Sequence, residues 1–237
     1  NKVDTPDVPG GFAMESRVLI ARLLTPKQVL FSGFVFFALS LPIGIYLTLA
    51  VGWPVSVMGV VGFLTGFFYT AKPISFKYKA LGELAVFLMW GPLMVSGAYY
   101  VQTQQLSWQA VLVSIPFGIL VSLVLLANNW RDIQYDGRVG IKTLGTLLGE
   151  KKTLLLYYAL VVLTYGVVIL LIALGQLSPW GLLVFLSVLL AWPLARTMSR
   201  EIPKDADAKT AQLDMLFGLL LIASLILEKV LPLQSFK

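Results

Sequence analysis

Residues 107–144 read SWQAVLVSIPFGILVSLVLLANNWRDIQYDGRVGIKTL. The first part, 107–128, is predominantly apolar and long enough to cross a bilayer as a helix, which takes about 20 residues. It then runs without a break into two amides, Asn128 and Asn129, and a cluster of both charge signs. Asp132 and Asp136 stand four apart, with Arg131, Arg138 and Lys142 around them. A span that ends on scarce charges sets the terms for the rest of the chain: helices in lipid, chemistry at one end.

Working outward, six more segments have that length and character: 29–51, 53–71, 82–101, 153–175, 179–198 and 210–231. The sequence therefore predicts an all-α polytopic transmembrane helix bundle with seven spans. The connections alternate. Residues 1–28, 72–81, 129–152 and 199–209 are long and charged, whereas VGWP, QTQQLS and GQLSP are short and neutral. Sixteen of the 18 basic residues fall on the charged side; only Lys229 and Lys237 do not. The positive-inside rule puts that side in the cytoplasm. Trp53, Tyr99, Tyr100, Trp108 and Trp180 sit at span ends, as interfacial anchors do. Residues 14–25, MESRVLIARLLT, suit a short helix lying in the interface.

Composition limits the chemistry. The chain has 237 residues, 13% of them charged and 58% hydrophobic, with mean hydropathy +0.84. Soluble domains carry about 25% charged residues. With no cysteine and no histidine, thiolate and imidazole metal sites and the usual general base are excluded. A net charge of +6 records loop orientation in such a protein, and no nucleic-acid partner is expected. What remains is carboxylates, amides, hydroxyls, Lys and Arg.

If the helix of 107–128 continues two turns, Asn128, Asp132 and Asp136 share one face at i, i+4 and i+8. Two carboxylates a turn apart suit Mg²⁺, which completes its shell with water and substrate phosphate. Nearby Arg131, Arg138 and Lys142 suit phosphate oxygens. Alone, a DxxxD is more often a solvated loop with ion pairs. Its place at a membrane helix end, and matching groups in the other charged loops, argue for a site. Those loops hold Asp4, Asp7 and Arg17, and, in YTAKPISFKYKALGE, Tyr69, Lys72, Lys77, Tyr78, Lys79 and Glu83.

NNWRDIQYD followed by GIKTL resembles the second aspartate-rich motif of the UbiA superfamily of intramembrane prenyltransferases. Together with YTAKPISFKYKALGEL and GPLMVSGAYYVQT it is similar to the menaquinone-synthesis branch, the 1,4-dihydroxy-2-naphthoate polyprenyltransferases and their vertebrate vitamin K relatives. The resemblance implies transfer of a polyprenyl group from an allylic diphosphate to an aromatic acceptor, with Mg²⁺ as cofactor. It makes Asp132, Asp136 and Tyr69 catalytic candidates, and Asp4, Asn128, Asp132 and Asp136 metal ligands. It implies diphosphate binding by Arg17, Lys72, Lys77, Arg131 and Lys142, and acceptor binding by Asn129, Glu83 and Asp214. The family has nine transmembrane helices. Asp4 in NKVDTPDVPGG then matches the last aspartate of a first motif, and the chain is expected to be one domain lacking its first two helices.

Two departures stand out. Many relatives have GKxTL, whereas here Ile141 follows the glycine and Lys142 comes next; and Asp214 replaces a neutral or histidine side chain. An ionisable residue near a span end marks a site by default, although capping also accounts for it. The acceptor ring, the prenyl length and the oligomeric state are not readable from spacing. 4-Hydroxybenzoate or homogentisate remain alternative acceptors. A transporter coordinating an ion and a scaffold membrane protein remain alternative classes, though acids gathered at helix ends on one side favour phosphate chemistry.

Overall fold

The computed structural model describes residues 23–233. Asp4, Arg17 and most of the expected interfacial helix lie outside them. Every regular element among the described residues is helical: α1 (Pro26–Val51), α2 (Pro54–Phe68), α3 (Gly82–Leu88), α4 (Met94–Thr103), α5 (Trp108–Arg131), α6 (Ile133–Arg138), α7 (Leu144–Ala173), α8 (Val188–Met198) and α9 (Ala206–Val230). A π turn, Met89–Leu93, joins α3 to α4 into one apolar run, and a 3-10 segment, Pro179–Ser187, leads into α8.

Six of these runs are long and apolar enough to cross a membrane. The seventh expected span, 53–71, forms a helix of only 15 residues. Its chain turns aside after Tyr69, where Lys72–Pro73 and a left-handed Ser75 (φ 53°) take the backbone out of helical geometry. The span expected at 153–175 is preceded, within α7, by a short helical stretch from Leu144 that a kink at Gly149 separates from it. Gly149 alone departs (φ 77°, ψ 165°), a left-handed position that suits glycine, and the helix resumes beyond it. Pro42, Pro116 and Pro193 sit inside helices.

α5 is the axis of the bundle. Leu120, Leu123, Leu126 and Ala127 are at most 1% exposed, packed among α7, α9 and the α3–α4 run. Close approach is achieved with small residues, as membrane helices commonly do. A Cβ at Gly91 would lie 2.9 Å from Gly118 Cα, so the π turn meets α5 backbone to backbone.

Hydrogen bonds between helix ends define two rims. At one, Gln109 of α5 donates to the Gln176 carbonyl beyond α7, and Trp180 donates to the Leu231 carbonyl beyond α9. This rim carries the short neutral connections and the exposed Trp53 and Trp108. At the other, the C-terminal end of α5 meets the first turns of α3, α7 and α9. The charged loops gather there.

Candidate active site

The charged rim is built on the end of α5. Helical hydrogen bonding runs past it, with Asp132 N–H to the Asn128 carbonyl (3.0 Å) and Asp136 N–H to the Asp132 carbonyl (2.9 Å). The sequence-based expectation of two further turns is therefore met in spacing. The helix is not continuous, however: Asp132 itself leaves helical geometry (φ −93°, ψ 6°), separating α5 from α6. The next loop is fastened back by Ile141 N–H to the Asp136 carbonyl (2.9 Å). It ends in a reciprocal cap between Thr143 and Thr146 that starts α7.

Glycine at 145 decides how close α7 comes. A Cβ there would stand 2.7 Å from the Asn129 carbonyl oxygen, so any side chain would push α7 off the α5 end. The loop before α3 arrives from the other side. Ala80 N–H donates to the Lys142 carbonyl (3.1 Å), and Lys79 Nζ closes its own loop on the Pro73 carbonyl (2.9 Å).

These contacts bring most candidates to one place. Asn129 donates through Nδ2 to Glu83 Oε1 (2.8 Å), and both residues are buried. The other Glu83 oxygen, Oε2, is buried with no hydrogen-bond partner among the described residues. The Tyr69 hydroxyl packs over Gly82, where a Cβ would meet it at 3.3 Å. Lys77 stands close enough to Asp136 to act on its ionisation. Burial, and then the negative charge of Asp132, push the Asp136 carboxyl up to about 6; Lys77 and Arg131 pull the other way.

Arg131 is placed differently from a free phosphate ligand. Its buried guanidinium forks onto Asp132, with Nε 2.8 Å from Oδ1 and Nη2 2.9 Å from Oδ2. Nη2 also donates to Asn128 Oδ1 (2.8 Å), and Nη1 lies 2.7 Å from Asp207 Oδ2. Asp207, in the first turn of α9, was not among the sequence-derived candidates. The available signal was an acid at the start of a span, which also describes a dipole-stabilising residue. Asp214 lies further along α9, on the face shared with Asp207 and Thr210, and its buried Oδ1 has no hydrogen-bond partner among the described residues. No contact places Asp214 with the Asp132–Asp136 group. Lys72 and Lys142 make no ion pair among the described residues.

The donor set bears on the expected cation. Among the described residues no three acidic groups converge on a common point. Asp132 and Asp136 stand one helical turn apart, and burial first, then the charge of Asp132, raises the Asp136 carboxyl. A divalent cation relieves the repulsion between them. Mg²⁺ is commonly held by one or two carboxylates, with phosphate oxygens and water completing its shell, so the residues present fit it.

A cavity of about 820 Å³ lies between α1, α2 and the α3–α4 run. Its walls are almost wholly apolar, including Met58, Gly59, Gly62, Met89, Leu93 and Gly97, and Tyr69 lines it as well.

The described residues thus form a helical membrane bundle with two carboxylates a turn apart at one rim and an apolar cavity that reaches Tyr69. Residues 13–223 match the UbiA prenyltransferase family, and the chain belongs to that family. It is 33% identical over 209 residues to the 1,4-dihydroxy-2-naphthoate octaprenyltransferase of Bacillus subtilis, covering 86% of this chain and 67% of that one. The protein of the same name from Mycobacterium tuberculosis is 34% identical over 165 residues, covering 69% and 55%. The human UbiA prenyltransferase domain-containing protein 1 is 30% identical over 215 residues, covering 90% and 63%. The chain thus spans between 55% and 67% of the length of these relatives.

Proposed function

We propose that this chain carries the reaction site of an integral membrane prenyltransferase, which moves a polyprenyl group from an allylic diphosphate to an aromatic ring. The acceptor is 1,4-dihydroxy-2-naphthoate, losing its carboxylate as carbon dioxide, in menaquinone synthesis. The observation that carries this reading is the apolar cavity reaching Tyr69, whose backbone carbonyl takes the N–H of Lys77, the lysine that acts on Asp136. One end of such a donor needs oil and the other needs charge. Two relatives named for 1,4-dihydroxy-2-naphthoate support the choice of acceptor.

Asp132 and Asp136, with Asn128 beside them and Asp4 from the first loop, would hold Mg²⁺. That ion supplies neutralisation of the diphosphate charge that grows as the C–O bond breaks. Lys72, Lys77 and Lys142, with Arg17, place positive charge around the leaving group. The apolar walls take the isoprenoid and keep water from the allylic cation. Glu83 is held by Asn129 through one oxygen; the other accepts a hydrogen bond from a ring hydroxyl of the acceptor. Asp214 offers a second acceptor-side contact. The rim lies on the cytoplasmic side, following the basic residues.

Purified full-length protein supplied with geranylgeranyl diphosphate and 1,4-dihydroxy-2-naphthoate should release pyrophosphate and form a prenylated naphthoquinol. EDTA should stop this and Mg²⁺ restore it. Product with 4-hydroxybenzoate alone would move the assignment to a different acceptor. Absence of Mg²⁺-dependent pyrophosphate release with any of these aromatic acceptors would remove the reading.

A further inference from the structure

We infer that Asp207 is a positioning residue for Asp132, acting through Arg131. This rests on the proposed role of Asp132 as a cation ligand, and goes beyond it by assigning a task to the start of α9.

A bidentate arginine is an awkward neighbour for a metal ligand. It fixes the carboxylate plane, but its positive charge sits against both oxygens and opposes a cation. The side-on fork uses part of the accepting capacity of each oxygen, and an ionised carboxylate has about four lone-pair sites in all, so room for a cation remains. What must be offset is the charge. Asp207 does this. Its Oδ2 lies 2.7 Å from Arg131 Nη1, on the edge of the guanidinium away from the Asp132 fork. Two carboxylates therefore share one guanidinium, and the buried group Asp132–Arg131–Asp207 keeps a net negative charge. Asp207 is 3% exposed, so little water screens its effect.

The same contact has a mechanical side. The hydrogen bonds from Arg131 to Asn128 and Asp132 are local to the end of α5. The contact with Asp207 ties that end to α9. Asp132 stands where the backbone leaves helical geometry between α5 and α6, so the orientation of its side chain rests on the Arg131 fork. A helix-start carboxylate serving the α9 dipole alone would need no guanidinium.

The test is Asp207→Asn in the full-length protein, which keeps the shape and removes the charge. Binding of Mn²⁺ with inorganic pyrophosphate, read by electron paramagnetic resonance without a prenyl donor, should weaken about tenfold, as expected for losing one buried charge near the cation. In turnover the Mg²⁺ concentration for half-maximal rate should rise by a similar factor, and added Mg²⁺ should recover much of the loss. Asp207→Glu, which keeps the charge, should restore most of the affinity. If Asp207→Asn does not survive purification, the Mg²⁺ titration of turnover in native membranes, normalised to protein present, reads the same shift. Unchanged cation dependence in Asp207→Asn, whether or not its melting temperature falls, overturns the inference, as does failure of Asp207→Glu to rescue. If the wild-type protein binds no Mn²⁺ with pyrophosphate, the reading of Asp132 itself falls instead.

Discussion

α1 and α5 are both long, apolar and interrupted by one proline, yet they live in different surroundings. α1 has no buried residue, whereas half of the most apolar window of α5 is buried. α1 carries phenylalanines at 31, 34, 36 and 37, all of them exposed. α5 carries Ser114, Gly118, Ser122 and Ala127 on faces that receive other helices. Since lipid is as apolar as leucine, hydropathy alone cannot draw two helices together. Small residues that admit a neighbouring backbone do so. The carboxylates stand at the end of the helix whose position is fixed from several sides. The oily cavity is bordered by the helix that is not.

Predictions follow this contrast from its sharpest point. Asp132→Ala or Asp136→Ala should lower turnover by about a hundredfold or more, the scale for removing a group that stabilises developing charge, with membrane insertion unchanged; near-normal rates would detach the end of α5 from the chemistry. A smaller effect is expected from pH. The Asp136 carboxyl is held up to about 6, so it is ionised above that value and protonated below it. Cation binding needs the ionised form. Mg²⁺-dependent turnover should therefore fall as pH drops through about 6, and raising Mg²⁺ should move that midpoint lower; a midpoint that ignores Mg²⁺ would assign the transition to another group. The mildest contrast is in stability. Gly145→Ala should cost about 1–3 kcal/mol, the usual range for overpacking, because its Cβ meets the Asn129 carbonyl at 2.7 Å. Gly33→Ala on α1 meets nothing within 4 Å and should leave the detergent melting temperature unchanged or slightly raised. Equal effects at the two sites would erase the distinction between the helices.

Much of this architecture is legible before folding, for a plain reason. Crossing lipid forces every backbone polar group into internal hydrogen bonds, so spans announce themselves by length and composition. The cluster around Asp132 and Asp136 is equally local, with its members a turn or so apart. What the sequence hides is contact across the chain. Asp207 reaches Arg131 only because α9 packs against α5, and nothing in KDADAKT says so. Arg131, read as a phosphate ligand by its type, has its fork filled by partners that local spacing reveals only in part. Glu83 finds Asn129 for the same long-range reason. Helix ends were set by single residues: Gly149 kinks α7 ahead of the expected span, and the turn after Tyr69 ends α2 a few residues before 71.

The π turn at Met89–Leu93 has an effect well beyond its five residues. The cavity wall from this run is a double file, Ala85, Met89, Leu93, Gly97, Val101 beside Val86, Trp90, Met94, Ala98. Its period of four would drift around an ordinary helix by about 160° over that length, since each residue turns roughly 100°. The far end of the file would then look away from the hollow. A wide turn takes up about one surplus residue and unwinds much of that drift, so a single local irregularity keeps an entire wall aimed one way. Removing one residue from it would re-index everything downstream and turn the glycine and alanine of the far end toward the wrong neighbours.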